Sequence, residues 1–126
     1  MAHQRPSFIV AVVEDDEGIL RSLEILLESA DYAVRLFRSG RELLAGGCLE
    51  EIDCLITDID VPGMDGFELL RLVHAARPGL PNILIAAYPD TLEPPFARST
   101  PRFFTKPFDG PELLTAVSEA LREPPE

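Results

Sequence analysis

The sequence predicts an α/β domain: a parallel five-stranded sheet, doubly wound, with helices on both faces. Short apolar runs of strand length alternate with longer segments whose apolar residues recur at helical spacing. Several of those runs are apolar throughout, as in Phe8-Ile9-Val10-Ala11-Val12-Val13, which is the mark of a strand covered on both faces. Five βα units in ~120 residues fit the flavodoxin-like strand order 2-1-3-4-5.

Each element can be justified in turn. Phe8 to Val13 is the first strand, and Ile19, Leu20, Leu23, Leu26, Leu27 and Ala30 then line one helix face. Tyr32 to Phe37 reads as the second strand. Ser39 with Glu42 forms a capping box that opens a short helix, which Gly46-Gly47 ends. Cys54-Leu55-Ile56-Thr57 is a third, buried strand with Asp58 directly after it. Asp65 with Glu68 repeats the cap ahead of Phe67, Leu69, Leu70, Val73 and Ala76. Asn82 to Ala86 and Arg102 to Thr105 are the fourth and fifth strands, and Asp109 with Glu112 caps a last helix bearing Leu113, Leu114, Val117 and Leu121. Between the last two strands, Pro94, Pro95 and Pro101 leave room for barely a turn or two, so a fourth helix there is expected to be short or irregular.

The 126 residues are expected to form one domain, 6–122 as its core and 123–126 as a polar tail. A net charge of −11 argues against nucleic acid as the direct partner, since phosphate backbones need a positive face. No apolar run approaches the ~20 residues that span a bilayer, and no signal-peptide core precedes the first strand, so a cytoplasmic location is expected. Cys48 and Cys54 lack metal-ligand spacing and read as reduced structural residues.

The chemistry sits at strand ends. Glu14-Asp15-Asp16 follows the first strand and Asp58 the third, and this topology brings both places to one edge of the sheet. One of the triplet also has the bland role of capping the helix that follows. Carboxylates gathered in a crevice repel unless a cation joins them or some take up protons. A hard divalent ion such as Mg²⁺ (or Mn²⁺) resolves the conflict and keeps positions open for water and a phosphoryl oxygen. Of eleven cationic side chains ten are arginine; the one lysine, Lys106, closes the fifth strand at the same edge. A compact ammonium suits a tight site better than a planar fork.

On Val12-Val13-Glu14-Asp15-Asp16, Leu55-Ile56-Thr57-Asp58-Ile59-Asp60-Val61-Pro62-Gly63-Met64-Asp65-Gly66 and Thr105-Lys106-Pro107-Phe108, the chain resembles the receiver domains of two-component response regulators. The resemblance spans essentially all of it. It implies that Asp58 accepts a phosphoryl group, that Glu14 and Asp15 hold Mg²⁺ together with Asp58 and the backbone carbonyl of Asp60, and that Lys106 pairs with Asp58 and then with the phosphoryl group. Asp16 falls outside the acidic pair. Pro62, Gly63 and Gly66 would shape the loop after Asp58. The implied partners are a sensor histidine kinase or histidine phosphotransfer protein and a downstream protein target, with the domain a monomer or weak homodimer and not an enzyme in its own right.

Two positions depart from the family. The switch position that usually carries Thr or Ser matches Ala86, with Tyr88 the nearest hydroxyl, and the aromatic switch position matches Phe103, which packs but donates no hydrogen bond. Phosphoryl acceptance is therefore expected to be kept and its readout altered. Two other readings are open. One is a phosphorylation-independent binding module, favoured by Ala86 and opposed by the intact acidic site. The other is a haloacid-dehalogenase-like phosphohydrolase using Asp58 and Asp60, opposed by the pair's mid-chain place.

Overall fold

The computed structural model describes residues 8–47, 49–58, 66–86 and 102–122. One sheet carries five parallel strands, β1 (Ile9–Val13), β2 (Ala33–Phe37), β3 (Cys54–Asp58), β4 (Asn82–Ala86) and β5 (Arg102–Thr105), in the order β2-β1-β3-β4-β5. Helices α1 (Glu17–Ser29), α2 (Gly40–Ala45), α3 (Gly66–Ala76) and α4 (Gly110–Arg122) complete the described elements. This is the flavodoxin-like order expected from the sequence. The expectations about Cys48, Asp60, Pro62, Gly63, the Asp65 cap, Tyr88, the proline-rich fourth-helix region and the tail lie outside the described residues.

The strand period divides the core into two layers. On one face Val10, Val12, Cys54, Ile56, Ile83 and Ile85 pack against Leu20, Leu23 and Leu27 of α1 and Leu113 and Val117 of α4. On the other, Ala11, Val13 and Leu55 pack against Leu43 of α2 and Leu69 and Val73 of α3. Each fully buried leucine or isoleucine contributes about 1.5–3 kcal/mol. The α1 and α4 helices also touch directly: a side chain at Gly110 would bring its Cβ within 3.3 Å of Leu26.

Three boundaries differ from the sequence expectation. Phe8 lies ahead of β1 and is exposed, and Tyr32 lies ahead of β2. Asp58 is the last residue of β3 rather than the first beyond it, because its pairing with Ile85 continues the β3–β4 ladder. The α2 cap is also rearranged: Ser39 Oγ accepts the Glu42 N–H at 3.1 Å, but the Glu42 carboxylate accepts from Arg38 N–H, one residue before the cap. Asp109 caps α4 as expected, accepting the Glu112 N–H at 3.0 Å.

As the edge strand, β2 is more exposed than the three inner strands. Ala33 N–H donates to Phe8 and Phe37 C=O accepts from Glu14, so the alternating groups of Val34 and Leu36 turn away from β1. Arg35 reaches Glu51 at 3.0 Å, and Arg38 pairs with Glu17.

Two polar staples escaped the sequence reading. Asp53 Oδ2 accepts from Ile9 N–H at 2.8 Å while Asp53 N–H donates to Ile9 C=O at 2.7 Å, locking β1 to β3 at the edge opposite the acidic cluster. Arg77, beyond the end of α3, donates to the carbonyls of Leu49 and Ile52 at 2.5 and 2.7 Å. A guanidinium serving two backbone carbonyls in a half-buried setting contributes about 2 kcal/mol. Arg77→Met, which keeps the apolar stem, is therefore expected to lower urea stability by about that amount with an unchanged slope. A shift within error of zero would show that water replaces the guanidinium at no cost.

Candidate functional site

The register assembles the site. Val13 pairs with Thr57, so Glu14 and Asp58 are the next positions on neighbouring strands. Ala86 pairs with Thr105, and the Lys106 N–H donates to Ala86 C=O at 3.0 Å, continuing the ladder by one residue. The carboxyl ends of β1, β3, β4 and β5 thus meet at one edge. Of the residues expected there, the structure brings together Glu14, Asp15, Asp58, Ala86 and Lys106; Asp60 lies outside the described residues.

Glu14 and Asp58 are almost completely buried, at 1% and 2% exposure, whereas Asp15 is exposed. Lys106 Nζ donates to Asp58 Oδ2 at 2.5 Å and lies 3.3 Å from Glu14 Oε1, so one ammonium bridges two buried carboxylates. Glu14 Oε2 accepts the Asp16 N–H at 3.0 Å, while the buried Oε1 faces the Lys106 ammonium. Burial raises the Glu14 carboxyl to about 7, the Asp16 N–H holds it down, Asp58 pushes it up, and Lys106 offsets only part of the total. Burial works against the charge on Lys106, but its bonds and attraction to Asp58 and Glu14 prevail and hold the ammonium above its ordinary range.

Among the described residues, one oxygen each from Glu14, Asp15 and Asp58 lie within 4.8 Å of one another. All are hard donors, and the buried Glu14 and Asp58 share a single ammonium, so that full ionisation of the pair leaves a second positive charge to be supplied. The site therefore fits Mg²⁺ or Mn²⁺. Asp16 serves the helix instead, its carboxylate accepting the Ile19 N–H at 3.0 Å as the α1 cap. Beside Lys106 opens a depression of about 720 Å³, walled by Gly18, Ile19 and Ser22 of α1 and by Pro107 and Phe108.

The wall at Ala86 is apolar. Ala86 is fully buried in a cluster with Leu70, Leu84 and the half-buried Phe103. The sequence reading did not separate buried Glu14 from exposed Asp15, because both faces of the sheet are covered and burial does not alternate along β1. Glu14 continues the parity of Val10 and Val12, and Asp58 that of Cys54 and Ile56, so both carboxylates fall on the face that α1 and α4 cover. The Lys106–Pro107 peptide is cis, which the sequence also left unread.

This geometry, a doubly wound sheet with an acidic pocket and one lysine at its carboxyl edge, has counterparts in a family of known proteins. The response regulator receiver domain family profile matches residues 10–118. The transcriptional regulator NtrC of Salmonella typhimurium is 35% identical over 115 residues, which cover 90% of this chain and 24% of that protein. FixJ of Azorhizobium caulinodans is 32% identical over 120 residues, 91% of this chain and 56% of its own length. A CheY-like receiver domain protein from Methanospirillum hungatei superposes with a TM-score of 0.80 at 28% identity, covering 91% of this chain and 94% of that one. The chain belongs to the response regulator receiver domain family. It spans about a quarter of the length of NtrC. No helix among the described residues is long and apolar enough to cross a membrane.

Proposed function

We propose that this domain accepts a phosphoryl group on Asp58 from a phosphohistidine of a sensor kinase or phosphotransfer protein, and signals through protein–protein contacts in the cytoplasm. The observation that carries the reading is the pair of buried carboxylates, Asp58 and Glu14, held by one ammonium at the sheet edge. Lys106 orients Asp58 through Oδ2 and is placed to neutralise charge on the transferring oxygens. The Asp58 carboxylate forms the new P–O bond as the donor's P–N bond breaks, the imidazole leaving with that electron pair. Glu14, Asp15 and Asp58, with the carbonyl of Asp60, would hold Mg²⁺, which when bound supplies positive charge to the phosphoryl oxygens. The depression beside Lys106 gives a donor side chain room to approach. By this reading the domain catalyses only its own phosphorylation and dephosphorylation and is no turnover enzyme.

Incubation with Mg²⁺ and a small phosphodonor is expected to add one phosphoryl mass, absent in Asp58→Asn. No addition with any donor would sink the proposal. A second reading, phosphorylation-independent binding, is favoured by Ala86, whose buried side chain offers no hydroxyl at this strand end. Equal partner binding by wild type and Asp58→Asn would support it.

A further inference from the structure

We propose that Asp16 is a positioning residue for this site: by capping α1 it fixes the backbone N–H that holds the Glu14 carboxylate in place. The inference rests on reading Glu14 and Asp15 as the acidic pair for a divalent cation.

Glu14 reaches the site on a side chain with three rotatable bonds, and packing alone does not decide which oxygen faces the cavity. The Asp16 N–H, donating to Oε2 at 3.0 Å, decides it, leaving Oε1 on the side of Lys106 and Asp58. That N–H is itself held from three directions. The Asp16 carboxylate accepts from Ile19 N–H at 3.0 Å, its carbonyl accepts from Leu20 N–H at 2.9 Å, and its backbone is extended, with φ −80° and ψ 118°. Residue 18 takes part by lacking a side chain, since a Cβ there would come within 3.3 Å of Asp16 Oδ1. The first turn of α1 and the orientation of Glu14 are thus one hydrogen-bonded unit with Asp16 as its joint. Asp16 acts through Glu14, its own carboxylate being engaged by the helix.

A capping role and a charge role separate cleanly by substitution. Serine caps as well as aspartate but carries no charge, whereas alanine does neither. Calorimetric Mg²⁺ titration of the unphosphorylated protein is expected to show D16A about tenfold weaker than wild type and D16S within about twofold of it. In D16A the amide of residue 16 should lose hydrogen-exchange protection while that of Val12, in β1, keeps it. Protection at Val12 shows that the fold persists. Unchanged affinity in D16A, or D16S as weak as D16A, would overturn the inference. Asp15→Ala keeps the two readings apart. If it is impaired while D16A is not, only the role of Asp16 falls; if it binds as wild type does, the acidic-pair reading falls and this inference with it.

Discussion

Metal-free protein is expected to lose stability as the pH rises from about 4.5 to about 7, because Glu14 folds more readily with its proton than without it. In the unfolded chain this carboxyl titrates at the ordinary 4.5, and in the folded protein burial lifts it to about 7. Between those values the folded state binds more protons than the unfolded state, so stability falls as pH rises. A group whose folded value is raised in this way costs nothing below 4.5 and its full penalty above 7. The span corresponds to roughly 3 kcal/mol. Urea titrations at about pH 5 and about pH 8, on wild type and Glu14→Gln, isolate the contribution from that of other groups. Glu14→Gln should flatten the difference, and so should saturating Mg²⁺ in the wild type. An equal pH slope in both proteins would place the cause elsewhere.

Lys106→Met is expected to produce the second large effect, in stability and in chemistry together. Removing the ammonium leaves Asp58 and Glu14 buried side by side without the charge that bridges them. Breaking a buried pair in this way costs about 3 kcal/mol when the remaining partners are ionised. At about pH 8 the variant should show that loss; at about pH 5 it should be smaller, because Glu14 is then protonated and only Asp58 is left without its cation. Phosphoryl uptake from a small donor is expected to fall about 100-fold or more, as for other lost charge-stabilising groups. Lys106→Arg should not restore it, since a planar fork does not fit where one nitrogen reaches two carboxylates. Full activity in Lys106→Met would remove the lysine from the mechanism.

How much of this was legible beforehand depended on what each residue touches. β4 and β5 match their expected bounds; Pro81 precedes the first, and Pro101 and Lys106 flank the second. The meeting of Glu14, Asp58 and Lys106 was legible because in a parallel sheet the end of a strand fixes the side of the molecule. The Lys106–Asp58 pair was expected too, but Glu14 as the second carboxylate under the same ammonium was not, since that depends on the depth of Glu14 below Asp15. Asp53 and Arg77 were illegible for another reason: each serves backbone groups far away in sequence, and such partners leave no periodic trace. The Glu42 carboxylate chose Arg38 over the cap residue through local loop geometry that composition does not encode.

The β2 edge has a colloidal consequence. Val34 and Leu36 turn their backbone groups outward on a strand that could template pairing with another copy. At neutral pH the net charge of −11 keeps copies apart, and Arg35 and Arg38 break up the apolar surface. Near the isoelectric point of about 4.5 that repulsion disappears, and it is there that Glu14, by holding its proton, destabilises the fold least. At this carboxyl, the pH that favours the fold and the pH that keeps copies apart therefore lie at opposite ends of the range.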